Sequence, residues 1–283
     1  MRTSILKPGD EPALERLLST RAETSMFLRS NSQKAGLTDR GEKLQATYAA
    51  VWEGEEIVAV AAHCWNGIVL VQAPEPRHID DVVRLAVETS GRAVKGFSGA
   101  WEQVVAARRT LGLEGQAAML DSREDLFALD LSKLAVPRAL ATGEWICRTP
   151  APGELSLLAT WRAAYYVEAI GETPGPLVDA RALQDVRNSD AQWVVAIDGE
   201  PRAYSGFNAR LPDMVQIGGV YTPPTLRGGG YARAVVAGSL LSARSAGVRR
   251  AILFTGQDNV AARRAYLALG FEIIGDFGLV MFS

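Results

Sequence analysis

The run Val220-Tyr221-Thr222-Pro223-Pro224-Thr225-Leu226-Arg227-Gly228-Gly229-Gly230-Tyr231-Ala232 decides how this chain is read. An apolar strand ends at Tyr221, two prolines stiffen its exit, and three glycines open a helix. Lacking side chains, Gly228, Gly229 and Gly230 can bring their N–H groups close to a bound group. Those donors stand at a helix N-terminus, where unpaired amides and the macrodipole favour negative charge. Arg227 adds a planar cationic fork suited to phosphate oxygens. Read this way, the run is a pyrophosphate cradle. A P-loop would need Gly-Lys-Ser/Thr, but Gly230 is followed by Tyr231 and Ala232. A dinucleotide fingerprint fails because Arg233 stands where its last glycine belongs. A glycine-rich turn with no ligand is the bland alternative.

Working outward, the strand Met214–Tyr221 follows strands at Gln192–Ile197 and Arg202–Ala209, joined by Asp198-Gly199-Glu200. An acidic-glycine turn between apolar runs is a hairpin signal. A helix is expected from about Gly230 to Ala246, a strand at Arg250–Phe254 and a helix at Val260–Leu269. Phe271–Ile274 and Leu279–Phe282 then read as a closing hairpin around Gly275-Asp276. Upstream, Pro152–Ile170 reads as a helix. Antiparallel strands followed by one strand–helix–strand crossover give a mixed α/β (α+β) class.

A similar order appears in the first half. Tyr48–Trp52, Glu53-Gly54-Glu55 and Ile57–Ala62 form a hairpin pattern, and Val105-Ala106-Ala107-Arg108-Arg109 matches Val260-Ala261-Ala262-Arg263-Arg264. The acidic turn precedes the matched helix by 52 residues in the first copy and 62 in the second. An internal duplication accounts for this order. The chain's 283 residues suit two domains of about 130–150 residues. The boundary is expected near Pro137–Gly143, giving domains 1–140 and 141–283, each a mixed, mainly antiparallel sheet flanked by helices.

The second motif is Asn259-Val260-Ala261-Ala262-Arg263-Arg264-Ala265-Tyr266-Leu267-Ala268-Leu269-Gly270-Phe271. With both motifs in place, the second half resembles the GNAT superfamily of acyl-CoA N-acyltransferases. That family carries Arg/Gln-x-x-Gly-x-Gly/Ala at its pyrophosphate loop, and Arg227, Gly230 and Ala232 fill those positions. Asn259, Ala262, Tyr266, Gly270 and Phe271 match its second pattern in register. The resemblance covers roughly Gln192 to Ser283 and extends more weakly back to the helix near Leu155.

The resemblance implies acetyl-CoA, or another acyl-CoA, as cosubstrate, held by Val220, Tyr221, Thr222, Arg227, Gly228, Gly229, Gly230, Tyr231, Ala232 and Asn259. The pantetheine arm would pair with the strand ending at Val220-Tyr221 as an added strand does. A bulge at Gly218-Gly219 would splay that strand from the next. Tyr266 is implied as the catalytic acid that protonates the leaving thiolate. No base is visible: the strand holds Gln216 and no acid, and Asp213, Glu168 and Glu172 are only nearby carboxylates. The implied reaction is direct attack by a small amine or amino acid, most simply an N-acetylation. A non-catalytic acyl-CoA-binding or interaction protein on the same fold is the alternative.

The first half departs from the pattern where it matters. Ala73-Pro74-Glu75-Pro76-Arg77-His78-Ile79-Asp80-Asp81 has no glycine and three acids at the phosphate position, and Thr110 or Leu111 stands near the tyrosine's place. This half resembles a degenerate GNAT domain without cofactor, expected to serve structure or to help wall the acceptor cleft.

Composition agrees with a globular protein: 48% hydrophobic, 22% charged and a net charge of −2. That charge supplies no field for nucleic acid or an anionic membrane surface. Cys64 and Cys147 read as neutral or buried thiols, and adjacent His63 and Cys64 would point to opposite faces of a strand, so no metal is expected. No run approaches the ~20 apolar residues of a membrane helix. A cytoplasmic monomer or homodimer is the expectation.

Overall fold

The computed structural model describes residues 1–282. The chain runs β1 (Arg2–Ile5), α1 (Glu11–Ser19), α2 (Met26–Ala35), β2 (Ala46–Glu53), β3 (Glu56–Cys64), β4 (Ile68–Gln72), α3 (Ile79–Ser90), β5 (Gly96–Ala100), α4 (Trp101–Thr110) and β6 (Ala118–Asp130). After a one-turn helix, α5 (Arg138–Ala141), the same order returns. It comprises β7 (Ile146–Arg148), α6 (Leu155–Tyr165), α7 (Pro176–Asn188), β8 (Gln192–Ile197), β9 (Glu200–Arg210), β10 (Met214–Tyr221), α8 (Tyr231–Ser245), β11 (Arg250–Gly256), α9 (Val260–Leu267) and β12 (Glu272–Phe282). The duplicated order read from the sequence is thus present element by element.

Two compact units form. One is Met1–Asp125 with Gly275–Ser283, the other Leu126–Ile274. In the first, β1 to β4 pair antiparallel in sequence order, β4 pairs parallel with β5, and β12 pairs antiparallel with β5. In the second, β7 to β10 pair antiparallel in sequence order and β10 pairs parallel with β11. Both acidic-glycine turns use left-handed backbone: Gly54 has φ +63°, while Asp198 and Gly199 have +51° and +83°. Positive φ at the turn centre matches the twist of paired strands, hence the glycines.

The division therefore differs from the one expected at 140. The two halves exchange their last strands. Val280 and Phe282, from the end of the chain, lie in the first unit's core with Phe97, Val104 and Val83. Phe127, Leu129 and Leu131, from the first half, lie in the second unit's core with Ile217, Leu240, Leu253 and Phe271. The expected closing hairpin around Gly275-Asp276 is accordingly replaced by one continuous strand, β12. Gly275 is not among the left-handed glycines, and Asp276 pairs with Arg123 instead of turning the chain. Met281 to Phe277 then run along Gly96 to Ala100.

Helix α7 was not legible in the sequence. It buries only Val178, Ala182 and Val186, spaced by four, against α6 and its C-terminal extension. That extension is a π-helical turn, Tyr166–Ile170. Among the described residues no helix is long and apolar enough to cross a membrane, and no group of three potential metal-ligating side chains occurs. Cys64 and Cys147 are free, and burial pushes both thiols up to about 12.

Candidate functional site

The site is built where β10 leaves β11. Their parallel pairing covers Met214–Gln216 against Arg250–Ile252 and, among the described residues, goes no further. On its other side β10 shifts register against β9 between Gly218 and Tyr221, and Gly219 takes φ +64°. The expected bulge is present, and the edge of Ile217–Tyr221 that would face β11 is open. Unpaired strand edge is a template for an extended partner.

Beyond Tyr221 a single 3-10 turn, Pro224–Leu226, leads to Arg227 and the glycines. Gly228 and Gly230 both adopt left-handed backbone, with φ +83° and +81°, and Gly230 is the N-cap of α8. A β-carbon at Gly228 would meet nothing within 4 Å, so the loop faces open space. Among the described residues the N–H groups of Gly228, Gly229 and Gly230 have no backbone partner, and those of Tyr231 and Ala232 belong to the first helical turn, which has none within the helix. Five consecutive donors at the head of a 15-residue helix form an anion cradle. Helix α8 is anchored by its buried face, Val235, Val236 and Leu240, so the cradle is held rigidly.

Arg227 is not waiting free in this loop. Its Nη2 meets Glu168 Oε2 at 2.5 Å, its Nε donates to the Thr222 carbonyl at 3.0 Å, and the Tyr221 hydroxyl donates to Glu168 Oε1 at 3.0 Å. Burial and the bond to Glu168 push the Tyr221 phenol up, so it stays protonated. Glu168, one of the acids that the sequence places nearby, is thereby tied to the glycine loop. Glu172 is taken by Arg181 at 2.7 Å. Asp213 precedes β10, at the end of the strand opposite the bulge, where its carbonyl accepts from Arg249 and Arg250 N–H. Of the three, only Glu168 reaches the open edge, through the Tyr221 hydroxyl at its end. Gln216 does stand at the fork, 1% exposed: its Nε2 donates to the Ile217 carbonyl at 2.7 Å, and its buried Oε1 has no partner among the described residues.

Asn259 caps α9: its Oδ1 accepts the Ala262 N–H at 3.1 Å, while Nδ2 lies 3.4 Å from Thr255 Oγ1. One Nδ2 hydrogen and the second lone pair of Oδ1 remain for a ligand. Tyr266 is 8% exposed and packs edge-on to Phe127 at 5.8 Å and Phe271 at 6.1 Å between ring centres. Its ring is a core element of the second unit as well as the motif's tyrosine.

The first unit closes the corresponding place. After β4 the Ala73 N–H is taken by the Gln103 side chain from α4 at 2.8 Å. The following helix, α3, starts from His78 in right-handed backbone with Asp80 and Asp81 in its first turn. Acids at a helix N-terminus satisfy the dipole that a phosphate would otherwise use. Thr110, near the tyrosine's place, is bonded to Asp80.

Residues 155–271 match the model of the acetyltransferase (GNAT) family. They are a GNAT acetyltransferase domain. A search of curated proteins finds no match to the sequence. Among solved structures, a GCN5-related N-acetyltransferase from Sphaerobacter thermophilus is similar over 99% of this chain and 94% of its own, at 18% identity and a TM-score of 0.60. A GCN5-related N-acetyltransferase from Kribbella flavida covers 94% and 95%, at 18% identity and a TM-score of 0.56. A tandem GNAT protein from the clavulanic acid biosynthesis pathway covers 99% and 97%, at 15% identity and a TM-score of 0.55. At such identities these likenesses speak for the fold, which extends over both units.

One residue of the GNAT domain escaped the sequence. Arg162, on the last turn of α6, lies against Gly219: a β-carbon there would sit 1.9 Å from its Nη1. Nothing in its spacing sets it apart from a surface arginine. The glycine opposite it, 57 positions on, becomes informative only once α6 is seen to pack across β9 and β10.

Proposed function

We propose that the GNAT domain is an N-acyltransferase that binds acetyl-CoA, or another acyl-CoA, and acylates a small amine or amino acid by direct attack. The observation that carries this reading is the run of free donors at Gly228–Ala232 beside the open edge of β10. In this reading the pyrophosphate lies in the cradle with Arg227, and the pantetheine amides pair with Ile217–Tyr221. The thioester supplies an electrophilic carbonyl. The amine nitrogen attacks it, a C–N bond forms and the C–S bond breaks. The nitrogen loses a proton and the thiolate gains one, from Tyr266.

A phenol at about 10 and a thiol at about 8.5 require the site to favour that last transfer. Glu168 and Glu172 are paired with Arg227 and Arg181, and Asp185 accepts from Tyr166, so a water relayed by the Gln216 oxygen is proposed as the acceptor of the nitrogen's proton. An α-amine of reference pKa about 7.7–8.0 asks little of such a relay. The first unit is proposed to bind no cofactor, because Gln103, Asp80 and Asp81 occupy the equivalent donors and dipole. Acyl-CoA as donor and two free thiols fit a cytoplasmic location.

A second reading has one observation in its favour. Tyr266 is packed between two phenylalanines, as a purely structural residue would be. The domain would then bind acyl-CoA without turning it over. Release of free thiol from acetyl-CoA across an amine panel separates the two, with calorimetry giving the stoichiometry. Amine-dependent thiol release and one CoA site per chain are expected. Binding without release supports the second reading, and no CoA binding ends both.

A further inference from the structure

We infer that Arg162 reads a carboxylate on the acceptor, so that the amine acylated belongs to an amino acid or a similar amino-carboxylate. This rests on the reading of the open edge of β10 as the donor's seat. Arg162 projects from α6 onto the bulge of β10, where its guanidinium fills the space that a side chain at Gly219 would need. Its Nε donates to the Tyr166 hydroxyl at 2.9 Å, and that hydroxyl donates in turn to Asp185. The rings of Tyr165 and Tyr166 lie 5.4 and 5.0 Å from the guanidinium carbon. The plane of the fork is therefore fixed from one side.

The other side is unclaimed. Among the described residues Arg162 makes no ion pair, and Nε is its only nitrogen with a hydrogen-bond partner. Glu168, six residues on, is committed to Arg227, and Glu172 to Arg181. For a partly buried cation, one neutral hydrogen bond and two ring faces compensate desolvation only in part. Packing alone would be served as well by a neutral side chain. An Nη1–Nη2 edge left open beside the bulge matches the two coplanar oxygens of a carboxylate, which arginine grips bidentately. An amine one carbon from that carboxylate would sit beside the backbone of Gly218 and Gly219, on the stretch of β10 proposed to seat the pantetheine arm. Only a glycine allows this, since Gly219 also has φ +64°.

The test is a matched acceptor panel: free amino acids, their carboxamides and the corresponding decarboxylated amines, with acetyl-CoA as donor. Wild type is expected to prefer the acids, chiefly through KM. Arg162→Met should lower kcat/KM for the acids by roughly ten- to a hundredfold, the worth of a charge-assisted contact. It should leave the amides nearly unchanged and CoA affinity intact. Arg162→Lys keeps the charge without the fork and should fall between, and it serves if the Met variant does not fold. With CoA bound, acids but not amides should also raise the melting temperature of wild type, an effect lost in the variants. Equal use of acids and amides by wild type, or an unchanged preference in both variants, overturns the proposal. So does CoA binding with neither turnover nor thermal shift from any acid. Absence of CoA binding in wild type would instead overturn the acyltransferase reading itself.

Discussion

Arg227 Nη2 lies 2.5 Å from Glu168 Oε2, so the cation of the glycine loop is tied to the π-helical turn that follows α6. Both side chains are about half exposed, 50% and 42%. An exposed ion pair is worth about 0–1 kcal/mol, while a charge-assisted bond to phosphate is worth about 1.5–3 kcal/mol. A phosphate bound at the loop would therefore displace the carboxylate, and the pair opens at little cost. Glu168→Gln should raise CoA affinity by no more than about fivefold, and Arg227→Ala should lower it by roughly ten- to a hundredfold at modest salt. Calorimetry checks both. A large loss in Glu168→Gln would make this carboxylate part of the binding site.

The glycines of the cradle invite a sharper comparison. Gly230 and Gly247 have similar left-handed backbone, φ +81° and +90°, but Gly247 follows the far end of α8. Replacing either by valine strains the chain in a conformation disfavoured for β-branched residues. Only Gly230→Val should also cost CoA affinity, by roughly tenfold or more, since it puts a side chain among the donors. Equal affinity in the two variants would move the phosphate site elsewhere.

Much of this was legible in the sequence because it is local. The strands of both hairpins, α8 and α9 follow from periodicity, and the cradle from three adjacent glycines. What was not legible depends on partners distant in the chain. Gly275-Asp276 reads as a turn by residue type, yet Asp276 is bonded to Arg123 and the strand runs on. Gln103 gives no sign in the sequence that it satisfies the Ala73 N–H. Arg162 looks like any helical arginine until Gly219 is beneath it.

The exchange of last strands has a consequence for fragments. A chain of residues 141–283 keeps every motif of the GNAT domain but lacks Phe127, Leu129 and Leu131, each 2% exposed or less in the second unit's core. It should be unfolded or aggregate, whereas residues 126–274 should melt cooperatively by circular dichroism. In the full chain Phe127→Ala should cost about 3–5 kcal/mol, the range for a buried phenylalanine truncated in a core that cannot collapse. A well-folded 141–283 fragment would mean that the second unit does not need the first half's strand.

One substitution at Tyr266 separates its packing from the acid role proposed for it. Its ring meets Phe127 and Phe271 edge-on, and Tyr266→Phe keeps those contacts and their volume. What is removed is the hydroxyl. If that group protonates the thiolate, its interaction develops only as the C–S bond breaks, so its loss lowers turnover and not donor binding. A positioned general acid contributes about a hundred- to ten-thousandfold in rate. Tyr266→Phe should therefore fall toward that range in turnover on a good acceptor, with CoA affinity and melting temperature nearly unchanged. Tyr266→Ala, by contrast, should lose stability as well, by a few kcal/mol, because it opens a cavity between the two phenylalanines. Near-normal turnover in the phenylalanine variant would assign the proton to water and leave Tyr266 as packing alone.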